Sequence, residues 1–248
     1  MQLPGELAVV TGAASGIGRA TAHALARAGA QIVAADLDAA GGEKTCSAIR
    51  QAGGKAEFAP VDVTDDDSIR ALADGVIARG AAPQIIINAA GWDRVEPFLD
   101  NSDEFIERIV RLNLLGPMKV AKAFLPAMVE AGSGKIVNVA SDAGRVGSSG
   151  ETVYAGSKGG VIAFTKSLAR EMAPHGVRVN CVCPGPTDTP LFRSLPDNLQ
   201  AALIRAIPFR RLARPEEIAD AILFFASARS SFVTGQILSV SGGLTMAD

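Results

Sequence analysis

Short apolar runs recur along the chain at 7–10, 31–36, 56–61, 85–87, 134–140, 177–183 and 235–240. Each has the length and continuous hydrophobicity of a strand buried on both faces. Between them lie segments whose apolar residues return every three or four positions, which reads as helix at 19–28, 39–52, 68–78, 103–130, from Thr152 onward, at 191–207 and at 215–228. Strand and helix alternate throughout. That pattern predicts an α/β, Rossmann-type, doubly wound parallel sheet of about seven strands with helices on both faces. The 248 residues suit one domain spanning 1–248, and no repeat or linker divides them. Two irregularities are expected. Asn113 and Gly116-Pro117 fall inside a long helical stretch and predict a kink that exposes backbone groups or holds a water. Prolines at both ends of 191–207 predict a mobile flap over the site, at about 187–214.

In a doubly wound sheet ligands bind at the C-terminal strand ends, and the unusual residues collect there. The first run breaks into Thr11-Gly12-Ala13-Ala14-Ser15-Gly16-Ile17-Gly18 just before a helix. A glycine turn at a helix N-terminus presents free N–H groups to a phosphate. Its spacing is G-x-x-x-G-x-G, unlike the commonest dinucleotide fingerprint, so its context matters. The second run ends in Asp36, where a carboxylate accepts from ribose hydroxyls and repels a 2′-phosphate; the bland alternative is a solvated loop acid. With Leu37 after it and Ser15 in the turn, no positive charge is supplied for a 2′-phosphate, so NAD is favoured over NADP. Asp62, followed by Val63, is placed to accept from an adenine amino group, leaving Asp65 to Asp67 to cap the next helix. Asn88-Ala89-Ala90-Gly91 closes the fourth run with small residues that let a flat cofactor lie close.

The fifth run delivers Ser141, and beyond a polar loop come Tyr154 and Lys158. Four residues apart on a helix, a phenol and an ammonium share one face. Lowering a phenol from about 10 to neutral pH requires about 4 kcal/mol. An ammonium about 4 Å away supplies that much at an effective dielectric of about 20. Tyr154 is thus a candidate general acid/base, and Ser141 could hold a substrate oxygen against it.

Composition removes other classes. A net charge of −2 offers no footprint for nucleic acid or an anionic membrane, and no apolar run is long enough to span a bilayer. Residues 1–6 lack the regions of a signal peptide, which makes a cytoplasmic protein the expectation. Cys46, Cys181 and Cys183 have neither disulfide nor zinc spacing, and Cys181 and Cys183, in an apolar stretch, read as buried, inert thiols.

In order along the chain, the glycine turn 11–18, Asp62-Val63, Asn88-Ala89-Ala90-Gly91, Asn113, Ser141, Tyr154-x-x-x-Lys158 and Pro184-Gly185 resemble the short-chain dehydrogenase/reductases over essentially the whole length. The resemblance implies a catalytic tetrad of Asn113, Ser141, Tyr154 and Lys158. In it Tyr154 is the acid/base, Ser141 positions the substrate, Lys158 lowers the phenol pKa and holds the nicotinamide ribose, and Asn113 holds a water leading to Lys158. It also implies NAD held by Gly12, Ser15, Gly16, Ile17, Gly18, Asp36, Leu37, Asp62, Val63, Asn88, Ala89, Ala90, Gly91, Tyr154, Lys158, Pro184, Gly185, Thr187 and Thr189, and a homotetramer. Ala89 departs from the family pattern, which has a second asparagine there. Segments around Gly91-Trp92-Asp93, 141–151, 183–189 and 239–246 resemble a branch of the family that oxidises 2-hydroxycyclohexanecarboxyl-CoA. That branch implies an NAD-dependent enzyme acting on a small-molecule secondary alcohol, a cyclic 2-hydroxyacyl-CoA. The alternatives are a 3-oxoacyl-thioester reductase and a non-catalytic NAD-binding sensor. For the substrate, Trp92 walls an apolar ring pocket or else packs in the core or a subunit contact. Arg145 meets a thioester oxygen or phosphate or else is solvated. Arg193, Arg205, Arg210 and Arg211 meet CoA phosphates or form a wet helix face.

Overall fold

A computed structural model describes residues 1–78, 80 and 82–247. Seven parallel strands form one sheet: β1 Leu7–Thr11, β2 Gln31–Asp36, β3 Lys55–Pro60, β4 Ile85–Asn88, β5 Gly134–Val139, β6 Val177–Pro184 and β7 Ile237–Val240. Their order is β3-β2-β1-β4-β5-β6-β7. Val10 pairs with Ala34 on one side and Ile87 on the other. The order reverses between β1 and β4, so the connections leaving these strands diverge and open a crevice at their C-terminal ends.

Alternate residues of each strand feed two cores. Val10, Ile32, Ile87 and Val182 pack with Leu25 of α1 (Gly16–Arg27), Ile49 of α2 (Ala39–Gln51) and Phe225 of α10 (Pro215–Ala226). On the other face Val9, Val33, Ile86 and Val179 pack with Leu72 of α3 (Asp66–Ile77), Phe124 of α5 (Gly116–Glu130) and Leu168 of α7 (Thr152–Met172). Burying each of the larger side chains contributes about 1.5–3 kcal/mol, and coverage of both faces explains why the strands are apolar throughout rather than alternating.

The expected kink takes a specific form. α4 (Asp103–Val110) is capped by Ser102, which accepts from Phe105 N at 3.2 Å, and runs into a π-helical turn at Arg111–Leu115 before α5 begins. Pro117 has no N–H to return to the carbonyl of Asn113, and the widened turn is the backbone's answer to that missing bond. The single helix expected over 191–207 is instead two, α8 (Pro190–Arg193) and α9 (Asp197–Ala206). Pro196 disfavours helical backbone at Leu195 and so ends the run early. Its flanks are pinned at the base: Asp188 N donates to Ala213 O and Ala213 N to Pro186 O. The remaining element, α6 (Ala143–Val146), is a single turn between β5 and α7. No helix among the described residues is long and apolar enough to cross a membrane.

Candidate active site

A cleft of about 620 Å³ lies over the C-terminal ends of β1, β4, β5 and β6. Its floor begins with the glycine turn. A Cβ on Gly12 would stand 2.8 Å from the Ala90 backbone, and one on Gly18 would stand 2.1 Å from Gly12 O, so neither position has room for a side chain. Ser15 makes no side-chain cap to α1, leaving the first N–H groups of that helix to the cleft. Asp36 closes the turn from β2, accepting from Ala14 N at 2.8 Å and Asp38 N at 2.9 Å. Leu37, Asp62 and Val63 continue this wall. Asp62 Oδ1 accepts from Thr64 N and Thr64 Oγ1, and Asp65 caps α3 as expected.

Ala89, Ala90 and Gly91 form the middle of the floor. The loss of an asparagine at Ala89 is met by Thr11, whose hydroxyl accepts from the backbone N–H of both Ala89 and Ala90. Asn88 differs from expectation. It does not line the cleft; its amide donates to Asn138 Oδ1 at 2.9 Å in a buried network that continues to Thr165, tying β4, β5 and α7 together. Asn113 is also fully buried, behind the floor. Its Nδ2 donates to Trp92 O at 2.8 Å and Ile109 O at 3.1 Å, and its Oδ1 accepts from Trp92 N at 3.3 Å. The π turn therefore aims one amide so that it clamps the backbone of the loop carrying Trp92. A Cβ on Gly91 would lie 2.9 Å from Asn113 Oδ1 and 3.3 Å from Lys158 Nζ, so both groups close on the side-chain face of that glycine.

Ser141 and Tyr154 both line the cleft at the end of β5, where the Ser141 hydroxyl favours the ionised phenol. Lys158, 3% exposed, lies under the Tyr154 ring with Nζ 5.5 Å from its centre, and donates to Val139 O at 3.0 Å. The charge relationship departs from expectation. Burial, reinforced by Glu151, pushes the Tyr154 phenol above its ordinary value, and burial pulls Lys158 down to about 8. In the chain alone desolvation of both groups outweighs their attraction.

Pro184, Gly185, Thr187 and Thr189 line the far wall. Thr189 caps α8 and touches the Gly16 position. Trp92 lines the cleft, edge-on to Phe105 at 6.2 Å, with the Arg108 guanidinium 4.4 Å over its ring. Arg145 does not line it: its guanidinium donates to Ser239 Oγ and to Ala247 O, behind α6. The flap arginines are likewise absent from the cleft. Arg193 pairs with Asp188, Arg211 with Glu217, and Arg210 bonds the carbonyl of Arg205. Four charged wall residues were given no role from the sequence: Asp93, Arg108, Asp142 and Glu151. Asp93 sits beside the one tryptophan, but nothing in its neighbours marks it as buried. All three cysteines are free and buried, Cys181 and Cys183 as expected.

A family model described as enoyl-(acyl carrier protein) reductase matches residues 12–245. The chain is 44% identical to the cis-4-hydroxycyclohexanecarboxylate dehydrogenase of Sinomonas cyclohexanicum, over 97% of this chain and 96% of that one. It is 37% identical to the 3-oxoacyl-[acyl-carrier-protein] reductase FabG of Thermotoga maritima, over 99% and 100%. It superposes with a TM-score of 0.93, at 36% identity and 98% coverage of each chain, on a Beutenbergia cavernae structure described as an NAD(P)-dependent gluconate 5-dehydrogenase with bound NADP. The chain belongs to the short-chain dehydrogenase/reductase family.

Short-chain dehydrogenase/reductases are oxidoreductases that interconvert secondary alcohols and ketones with a nicotinamide cofactor. The residues present fit that cofactor: the glycine cradle too narrow for a Cβ, the uncapped start of α1 and the Asp36 carboxylate lie along one continuous wall leading to Tyr154.

Proposed function

We propose that the chain is an NAD-dependent dehydrogenase of a ring secondary alcohol that carries an acyl group on the neighbouring carbon, with 2-hydroxycyclohexanecarboxyl-CoA as the model substrate. The observation that carries the reading is the placement of Ser141 and Tyr154 in one cleft with buried Lys158 beneath the phenol ring, at the end of the glycine floor and walled by Trp92. The relative that acts on a hydroxycyclohexanecarboxylate supports a ring substrate.

In this reading Tyr154 takes the hydroxyl proton during oxidation and returns it to the carbonyl oxygen during reduction. Ser141 holds the same oxygen against the phenol, and Lys158 places a positive charge beneath the ring. Asn113 positions the Trp92 loop. When bound, the nicotinamide supplies the hydride acceptor. A carboxylate oxygen has two lone pairs, so Asp36 keeps acceptor capacity for ribose hydroxyls beyond its two backbone bonds. Its negative charge disfavours a 2′-phosphate, which supports NAD. Cytoplasmic residence and a homotetramer belong to the same reading.

The test is NADH or NADPH formation with 2-hydroxycyclohexanecarboxyl-CoA, its free acid, cis-4-hydroxycyclohexanecarboxylate and a linear 3-hydroxyacyl-CoA. Highest kcat/KM for the cyclic thioester with NAD is expected. A preference for the linear thioester with NADP would move the assignment to a 3-oxoacyl-thioester reductase, the reading favoured by the full-length likeness to FabG.

A further inference from the structure

The cleft holds three acids that the chemistry above does not use, Asp93, Asp142 and Glu151; Asp142 is tied through Oδ1 to the Ser239 hydroxyl. Asp93 lies in the loop after β4 and lines the cleft, yet it is 8% exposed, and its Oδ2 has no hydrogen-bond partner. The basic group nearest in sequence is engaged elsewhere. Arg94 forms a two-point ion pair with Glu96, at 2.8 and 2.7 Å, and lies 4.7 Å over the Phe105 ring. The loop is fixed at both ends. Asn113 clamps Trp92 on one side, and Glu96 N donates to Gly150 O at 2.9 Å on the other. Asp93 is therefore presented rigidly, on the same wall as Tyr154 and Glu151.

The groups that face it are Arg94 and Glu96 from its own loop, Glu151 from the turn before α7, and Tyr154 and Lys158 from α7. Burial, with Glu151 and Glu96 adding negative potential, pushes the Asp93 carboxyl up to about 7. A carboxyl that keeps its proton near neutral pH is a hydrogen-bond donor. Its acceptor cannot be the reacting oxygen, which Ser141 and Tyr154 hold in the proposed function.

We propose that Asp93 reads the acyl end of the substrate, its carboxyl forming a hydrogen bond with the oxygen of the thioester or carboxyl group borne by the carbon adjacent to the carbinol. The proposal rests on the reading of the substrate as an acyl-bearing alcohol and makes Asp93 a specificity-determining residue for it. Loss of the proton would turn the donor into a second negative charge facing an oxygen lone pair. Binding of the acyl group should therefore weaken as pH rises through about 7. A free carboxylate substrate should suffer more than a thioester, because it meets charge with charge.

The test compares wild type, Asp93→Asn and Asp93→Ala with 2-hydroxycyclohexanecarboxyl-CoA and with cyclohexanol, which lacks the acyl group, from pH 5.5 to 9. NADH affinity is read separately by fluorescence. The wild-type KM for the thioester is expected to climb above pH 7. Asp93→Asn, a donor that cannot ionise, should hold its low-pH KM across the range. Asp93→Ala should lose at least tenfold more kcat/KM on the thioester than on cyclohexanol, mostly through KM, as expected for one lost hydrogen bond. If Asp93→Ala does not fold, the Asp93→Asn pH profile alone decides. The assignment is overturned if Asp93→Ala damages both substrates equally, or if Asp93→Asn keeps the wild-type rise in KM. If wild type turns over only alcohols without an acyl group, the proposed function falls and takes this assignment with it. If wild type prefers the thioester and Asp93 proves indifferent to it, this assignment alone falls.

Discussion

Lys158 Nζ gives its hydrogen bond to Val139 O at 3.0 Å, and sits 5.5 Å from the centre of the Tyr154 ring. The ammonium lies beneath the phenol, and its hydrogen bond anchors it to β5. Its effect on Tyr154 is thus through space, and burial opposes it on both groups.

That geometry fixes the sign of the pH dependence. Burial holds the phenol above its ordinary value, so near neutral pH it carries its proton, while Lys158, down at about 8, still carries its charge. Alcohol oxidation needs the phenolate and should gain kcat/KM as pH rises from 6. Ketone reduction uses the protonated phenol and should not. Above about 8 Lys158 loses its charge, which opposes phenolate formation and should flatten the oxidation limb. Profiles of kcat/KM in both directions from pH 6 to 10 check this, and a flat oxidation profile would remove Tyr154 as the base. Tyr154→Phe should cost about 10²–10⁴ in turnover while leaving NADH affinity near wild type.

Trp92 is the chain's only tryptophan, so its fluorescence reports on one place. Asn113 holds both backbone polar groups of Trp92. Asn113→Ala should free the loop, loosen the packing of Trp92 against Phe105 and Arg108, and shift its emission to the red. Activity should fall together with this shift. A variant that loses activity with an unchanged emission spectrum would show that Asn113 acts by some route other than the loop.

The sheet was legible because strands buried on both faces are written as continuous apolar runs, and all seven expected runs became strands. Cleft residues were legible where backbone demands them: Gly12 and Gly18 stand where no Cβ fits. Side chains with two plausible environments were not. Asn88 follows an apolar run just as a ligand-binding asparagine would, but the deciding contact is Asn138, fifty residues away. Arg145 looks like a loop cation free to meet a phosphate until β7 and the C-terminal segment supply Ser239 Oγ and Ala247 O. The pKa of Tyr154 failed for a related reason. Helical spacing fixes which face Tyr154 and Lys158 share, but the desolvation that dominates both comes from the cleft walls.

Asp36 gives a prediction about cofactor choice with a structural complication. Its carboxylate also accepts from Ala14 N, so it holds the glycine turn in shape. Asp36→Ala should raise the ratio of kcat/KM for NADP over NAD by about tenfold or more, through loss of repulsion, and should also weaken NAD binding. Asp36→Asn keeps an acceptor for Ala14 N without the charge, so it should improve the ratio with a smaller loss on NAD. An unchanged ratio in both variants would place cofactor selection elsewhere in the cleft.

Asp93 should also be visible in stability, independently of any substrate. Its carboxyl rises from the ordinary 3.8 to about 7 on folding, so the folded chain holds the proton more tightly than the unfolded one. The sign follows from linkage: the group imposes no penalty below about pH 3, where both states are protonated. It destabilises progressively as the unfolded state ionises and the folded one resists. The penalty is complete once pH passes about 7, and is on the order of 4 kcal/mol. Asp93→Asn cannot ionise, so its advantage in Tm over wild type should be absent near pH 3, grow between about 3 and 7, and stay constant above. For a domain of this size each kcal/mol moves Tm by roughly 2–4 °C, which makes the difference at pH 8 measurable by calorimetry. A gap of the same size at every pH would assign the effect to packing of the amide, and no gap at all would mean that the carboxyl reaches solvent. Only the pH-dependent gap is consistent with a buried, proton-bearing acid in the substrate wall.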